Sequence, residues 1–461
     1  MTASVAVADP LLQSPAWRAV LRLGLPQALG LASHVLVNLV DLLLVGRLGQ
    51  DAVAAAGVAT TINFLPMVLG NSVAVASLAQ LSQKLGVGDL AGARLLSNRT
   101  QWLMLGIGLL VSVATALPAA WCVDSIELGG AVRRDAIHYL VVSNLGCLPM
   151  FALMQVTTSM RAVGEVAVPL AVLLGANLLN LGLDLLWLFG WDAIGVRGIG
   201  VVGAAYATVV SRALFAVVGY LWLCRRTHPL RLGWPRRRGV SPLLGPLLWL
   251  ALPQAGQIML RALLAWALLV LARRTAGADA VAALGITTRL DTLVLFGAVG
   301  FGSAATTLVG RCLPNGLDRR ARAIGGWAAT QAALFATLSV ALLYLLRVPI
   351  VLLFLPAAPS AVIELASTYL AVAAMAHPFA AFALGAIGAL HGGGRMLSAL
   401  AVDLAGFVVL GAMLAGGFVA GLELCGLYRL LIAGSALVAV LHGCYLAFAG
   451  WTRWPPDPLP R

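Results

Sequence analysis

The sequence predicts an all-α integral membrane protein with twelve transmembrane helices in two pseudo-symmetric six-helix bundles. Three observations predict it. Of 461 residues, 61% are hydrophobic and 10% charged, against roughly 25% charged in soluble domains, and the mean hydropathy is +0.97. The apolar residues fall in runs long enough for spanning helices, which need about 20 residues each. The two halves of the chain also repeat each other. A soluble globule cannot hide so much apolar surface. The composition therefore excludes a soluble enzyme, a secreted disulfide scaffold and a disordered chain, and the runs are continuous rather than alternating, unlike those of a β-barrel.

Taken in order, the spans of the first half are expected at 17–45, 52–83, 95–121, 135–160, 166–192 and 197–223. Those of the second half are expected at 246–272, 279–311, 321–346, 361–391, 396–417 and 424–450. Fifty glycines suit helices that pack closely in lipid. Trp187, Trp191, Trp222 and Trp451 lie near span ends, where aromatic belts form.

Between the sixth and seventh runs, residues 224–242 hold six Arg, three Pro and no acid. That segment is too polar to span, and it divides the chain into an N-terminal lobe (1–223), a basic cytoplasmic linker (224–245) and a C-terminal lobe (246–461). Even span counts then put both termini in the cytoplasm. On this topology 19 basic residues are cytoplasmic and seven are outside, as the positive-inside rule requires. The net charge of +13 is thus a topological signal, and no nucleic-acid partner is implied. The N-terminus lacks the basic start and apolar core of a signal peptide, so the first span is expected to be retained. Six scattered cysteines have no metal-like spacing and suggest neither a disulfide framework nor a metal site.

The repeat keeps its orientation. LPQALG from Leu25 matches LPQAGQ from Leu252, and DAVAAAGVATT from Asp51 matches DAVAALGITTR from Asp279, with seven of eleven positions identical at an offset of 228. Parallel halves of this kind are a known transporter design, with the substrate path between them.

Ionisable groups at membrane depth are costly, and each invites a functional reading. In the first span Gln27, His34, Asn38 and Asp41 form one polar stripe. In the fifth, Asn177, Asn180 and Asp184 form another. The repeat places Leu268 and, within a residue, Leu414 where the first half has its two acids. A carboxylate needed only to hold a six-helix bundle together should recur in the second bundle, and these do not. Buried carboxyls can bind and release a proton near neutral pH, so Asp41 and Asp184, with Asn38, Asn177 and Asn180 beside them, are the predicted cation-coupling residues. The plainer alternative is that each acid meets water near a helix end.

Gln27 and His34, with Gln257 and Arg261 of the seventh span, are candidates for a substrate cavity; Arg261 is alternatively expected to pair internally with Asp291. His377, His391, Asp403, Glu423 and His442 stand alone in the sequence and are expected near interfaces or in satisfied pairs. Pro26 and Pro253 sit early in matched spans, where a missing backbone hydrogen bond permits a bend, and Pro26 is the predicted hinge. No phosphate-binding loop is present, so direct use of ATP is not expected. HGGG at His391 to Gly394 lacks a partner GxSxG and is read as a turn. No cofactor and no enzymatic activity are predicted.

The segments LPQALGLASHVLVNLVDLLLVGRLGQDAVAAAGVA, SQKLGVGDLAGAR, MRAVGEVAVPLAVLLGANLLNLGLDLLWLFG and GVVGAAYATVVSR resemble the multidrug and toxic compound extrusion family across essentially the whole chain. That resemblance implies two six-helix lobes around a V-shaped cavity and cation-coupled export of amphipathic, often cationic drugs or metabolites. Within the family the chain is similar to the DinF-like prokaryotic branch. The branch's proline falls on Pro26, its first-helix aspartate on Asp41, and its fifth-helix Asn and Asp on Asn180 and Asp184. The NorM-like branch has an acid at two second-lobe places that here hold Arg261 and Ala380, which puts its sodium mechanism in doubt.

The resulting expectation is a proton-coupled antiporter, working as a monomer in the bilayer of a bacterial inner membrane. Its rivals are sodium-coupled efflux through Asp41, Asn180 and Asp184, and a lipid-linked precursor flippase of the related superfamily with Arg261 as a headgroup contact. A membrane enzyme would need a nucleophile, metal cluster or acid-base pair at an interface, and no such motif appears.

Overall fold

The structure, a computed structural model, describes residues 10–124, 130–191, 195–233, 244–354 and 359–448. Its helices are α1 (Ala16–Gly46), α2 (Gln50–Gly86), α3 (Leu90–Ala116), α4 (Ala119–Asp124), α5 (Gly130–Leu145), α6 (Cys147–Val163), α7 (Ala167–Phe189) and α8 (Val201–Leu223) in the first half. The second half has α9 (Leu244–Cys312), α10 (Asp318–Leu345), α11 (Arg347–Phe354), α12 (Ser360–Ala371), α13 (His377–Gly392), α14 (Met396–Val419) and α15 (Leu424–Phe448). Among the described residues eleven helical segments are long and apolar enough to cross a membrane. One of them, α9, is two spans joined at Gly277, whose φ of 79° and ψ of −159° break the helix. All twelve predicted spans are therefore present.

The internal repeat extends to the turns. Gly49 ends the first turn with φ 111°, and Gly277 occupies the matching place with φ 79°. Gly88 (φ 77°) and Gly316 (φ 69°) correspond in the same way. Only glycine enters this left-handed region without strain, so the offset read from side chains is also an offset of backbone punctuation.

Several boundaries differ from the sequence expectation. The predicted third span runs into α4, because the helix stops at Ala116 and restarts at Ala119. The fourth and tenth spans are each broken, between α5 and α6 at Gly146 and between α12 and α13 by a 3-10 turn at Ala373–Ala376. Pro149 and Pro378 follow these breaks in the first turns of α6 and α13, where a missing N–H costs nothing. Between α7 and α8, Gly190 (φ 79°) ends the helix, and a two-residue hairpin pairs Gly190 with Arg197 and Trp191 with Val196.

The chain divides into two compact units, one of Ser33–Leu85 and Asp89–Ala251, the other of Met1–Ala32, Gly86–Gly88 and Leu252–Arg461. The boundary thus falls inside α1. In the first unit, Leu78, Leu81, Ala93, Leu96 and Ala162 form a core that is closed by Leu230. Leu230 belongs to the predicted linker, whose described part folds back on the bundle: Leu232 N donates to Leu223 O at 3.0 Å, and Arg94 Nε donates to Pro229 O at 2.7 Å. Residues 234–243 of that linker and both chain ends lie outside the described residues.

In the second unit, small residues set the helix spacing. A Cβ on Gly388 would stand 2.1 Å from Gly302 O, and one on Gly300 would stand 2.2 Å from the Ala28 backbone nitrogen. Lipid tails are as apolar as leucine, so close backbone packing of this kind takes over part of the work that water exclusion does in soluble bundles. Thr306 Oγ1 adds a hydrogen bond to Gly388 O at 2.8 Å across the same contact.

Candidate functional site

Part of the first predicted polar stripe meets the second inside the first unit. On α7, Asn177, Asn180 and Asp184 are 8%, 7% and 1% exposed, as their i, i+3, i+7 spacing requires for one inward face. Opposite them, the part of α1 from Ser33 onward presents Ser33, His34 and Asp41. The carboxyl groups of Asp41 and Asp184 lie side by side, close enough for one to hydrogen-bond the other. Asn180 Nδ2 donates to Asp184 Oδ2 at 3.0 Å and also reaches Thr208 Oγ1 at 3.4 Å. Asn177 Nδ2 donates to Ser33 Oγ at 3.1 Å and its side chain contacts the His34 ring.

The remaining oxygens decide what this arrangement can do. Oδ1 of Asp41 and Oδ1 of Asp184 are buried and accept from no donor among the described residues. Two ionised carboxylates can only accept. A proton held between the two carboxyls would supply the missing hydrogen and cancel one of two adjacent charges.

Two residues that sequence reading did not single out complete the site. Arg212 of α8 stands within electrostatic reach of Asp41, and Tyr139 of α5 within electrostatic reach of both acids. Arg212 also lines a cavity of about 60 Å³ with Asn63, Ser143, Cys147, Met150 and Thr208. Thr208 is the link, since its hydroxyl touches Asn180, which in turn bonds Asp184. The cavity has room for a few waters. Arg212 was visible in sequence only as one of four basic residues that fit neither side of the topology.

Not every predicted residue joins the cluster. Asn38 is exposed and makes no side-chain hydrogen bond among the described residues. Gln27 is 6% exposed, belongs to the other unit, and has neither side-chain atom bonded among the described residues. Pro26 lies in the interior of α1, in that same unit.

In the second unit, Arg261 does not pair with Asp291. Its guanidinium donates to Asp403 Oδ2 at 2.8 Å, and Gln257 Nε2 donates to the same oxygen at 2.9 Å. Gln257 Oε1 is 2.9 Å from His391 Nε2, and His442 Nε2 is 3.4 Å from Asp403 Oδ1. The side chain of Asp403 is 0% exposed and that of Arg261 30%. Asp291 instead meets His377 and Tyr369. Four of the residues that look isolated in sequence thus belong to two buried clusters, and only Glu423 is exposed on a loop. Among the described residues no group of three His, Cys, Asp or Glu side chains could hold a metal ion.

Comparison with known proteins places this architecture. A protein called "Probable multidrug resistance protein NorM" from Bradyrhizobium diazoefficiens is 28% identical over 369 residues, 77% of this chain and 76% of that one. Another of that description from Thermotoga maritima is 26% identical over 320 residues, 67% of this chain and 66% of the relative. A solved transporter of the MOP superfamily from Pyrococcus furiosus superposes with a TM-score of 0.86 at 21% identity, covering 95% of this chain and 96% of that one. The MatE family profile matches residues 26–186 and 253–415, one stretch in each half of the repeat. The chain belongs to the MatE family, whose members are multi-pass membrane transporters and not enzymes.

Proposed function

We propose that this protein is a secondary antiporter that exports amphipathic, cationic drugs or metabolites in exchange for protons, with Asp41 and Asp184 as the coupling pair. The observation that carries the reading is the adjacency of those two carboxyls, each with a buried oxygen that has no hydrogen-bond partner among the described residues. Asn180 holds Asp184 in place and Asn177 holds the α1 stripe against α7. Arg212 and Tyr139 supply a positive charge and a hydroxyl beside the pair. The relatives described as probable multidrug resistance proteins support drugs as substrates.

In this mechanism protons from outside load the Asp41–Asp184 pair and favour a different packing of α1, with Pro26 as the hinge, and substrate leaves outward. Release of the proton inside resets the pair. Loading removes a charge and changes which oxygens accept, so the two states differ in the helix packing they stabilise. The membrane is a bacterial inner membrane, both termini are cytoplasmic, and the monomer is the working unit. Arg261, the contact that a lipid-phosphate substrate would need, is already engaged by Asp403.

The test is efflux of ethidium from proteoliposomes under an imposed proton or sodium gradient, for wild type, Asp41→Asn and Asp184→Asn. Proton-driven efflux that both substitutions abolish is the expected result. Efflux driven by sodium alone, or unchanged in both variants, overturns the mechanism.

A further inference from the structure

The second unit contains a carboxyl centre that the coupling pair does not use. Asp291 from α9, Tyr369 from α12 and His377, the first residue of α13, converge where the tenth span is broken. The Tyr369 hydroxyl donates to Asp291 Oδ2. His377 Nδ1 lies 2.7 Å from Ala374 O in the 3-10 turn. A carbonyl oxygen only accepts, so Nδ1 carries a hydrogen. The opposite ring nitrogen, Nε2, stands 3.0 Å from Asp291 Oδ1, and that oxygen accepts from no other donor among the described residues.

This geometry counts protons. With Nδ1 committed to the carbonyl, a neutral imidazole presents the Nε2 lone pair to the lone pair of a carboxylate oxygen, and two acceptors face each other across 3.0 Å. One additional proton, on either atom, turns that repulsion into an imidazolium–carboxylate or an imidazole–acid contact. Both loaded forms are neutral overall. The empty form leaves a carboxylate, mostly withdrawn from water, with the Tyr369 hydroxyl as its donor. The side chains are 8% exposed for His377 and 14% for Asp291, so the centre is confined without being sealed within the chain.

The neighbouring Asp403–His442 contact makes the distinction clear. There too Nδ1 is taken, by Val438 O at 2.9 Å, and Nε2 faces a carboxylate oxygen, at 3.4 Å. But Arg261 already neutralises Asp403, and both side chains are 0% exposed. A proton added there creates net charge in a contact that is fully enclosed. At Asp291 the other titratable groups that face the centre are Tyr428 on α15, edge-on to Tyr369 at 5.3 Å between ring centroids, and Cys425 behind it. On its own helix Arg289 turns back to Gly285 O.

We propose that His377, Asp291 and Tyr369 form a second proton-binding site, within the C-terminal half, that takes up and releases one proton independently of Asp41 and Asp184. Its ligand is a proton and not a metal cation, because among the described residues no group of three His, Cys, Asp or Glu side chains is placed to hold one.

The test is nitrogen NMR of the full chain labelled at histidine, in detergent micelles, across a pH titration. The chain has six histidines, and His377→Gln assigns the signal. The expected result is that His377 converts between a doubly protonated ring and a ring with hydrogen on Nδ1 alone. Asp291→Asn moves the midpoint of that conversion by about one pH unit or more, and Asp41→Asn leaves it in place. A ring protonated on Nε2 alone, a ring that never changes state, or a midpoint insensitive to Asp291→Asn overturns the proposal. A midpoint that moves with Asp41→Asn overturns its independence. Should Asp291→Asn fail to fold, Tyr369→Phe carries the test, since it withdraws a donor from Asp291 and must also move the midpoint; an unmoved midpoint overturns the proposal.

Discussion

Arg261 on α9 reaches Asp403 on α14 across 142 positions of sequence and donates to its Oδ2 at 2.8 Å. Asp403 is fully buried, so removing the guanidinium leaves a carboxylate with Gln257 as its one remaining close donor among the described residues. Breaking such a pair costs about 3–5 kcal/mol when both partners are buried. Arg261 is 30% exposed, which puts the expected loss for Arg261→Met below that range, at about 2–3 kcal/mol. Thermal unfolding in detergent measures it, and the double variant Arg261→Met with Asp403→Leu should recover most of the loss. A single variant as stable as wild type contradicts the assignment.

Asn180 and Asn38 are both amides in predicted polar stripes, and the structure separates them. Asn180 bonds Asp184 at 3.0 Å, whereas Asn38 is exposed and unbonded among the described residues. A hydrogen bond to a charged group contributes about 1.5–3 kcal/mol. Asn180→Ala should therefore reduce proton-driven efflux by about tenfold or more, taking about 1.4 kcal/mol per tenfold, and Asn38→Ala should stay near wild type. Equal losses in the two variants would contradict the placement.

Asp89 caps α3: its Oδ1 accepts from Gly92 N at 2.7 Å, and Lys84 Nζ lies 3.2 Å from Oδ2. The Gly92 amide, with Lys84 beside it, holds the Asp89 carboxyl below the usual carboxylate range. A group whose folded-state value is depressed stabilises the fold above its unfolded value and loses that contribution as pH falls through the folded one. Asp89→Ala should cost about 1 kcal/mol at neutral pH, and the difference from wild type should vanish progressively below about pH 4. Unfolding midpoints of both proteins across that range provide the check.

Gly388 and Gly326 offer a paired packing test. A methyl group at Gly388 meets Gly302 O at 2.1 Å, while one at Gly326 meets nothing within 4 Å. The first contact is backbone against backbone, so no side chain can swing aside. Gly388→Ala should destabilise by about 1–3 kcal/mol or more through overpacking, seen as a lower yield of monodisperse protein, and Gly326→Ala should be tolerated.

Composition and periodicity alone established the solvent, the number of spans, the two repeated halves and the polar faces of the first and fifth spans. These follow from local rules, since lipid demands about 20 apolar residues per span and a helix puts i, i+3 and i+7 on one face. The repeat even foretold the turns, because Gly49 and Gly277 answer the same steric demand in each half. Tertiary structure alone decided the partners. A lone Asp403, a lone His391 and an Arg261 are indistinguishable in sequence from surface charges, and a helix face does not say which neighbour it meets. Arg212 and Tyr139 entered the candidate site, Asn38 and Gln27 stayed outside it, and Asp291 found His377 instead of Arg261. A charge in an apolar interior must be compensated by whichever group packing brings within a few ångströms, and contacts between helices over a hundred residues apart leave no periodic trace in the chain.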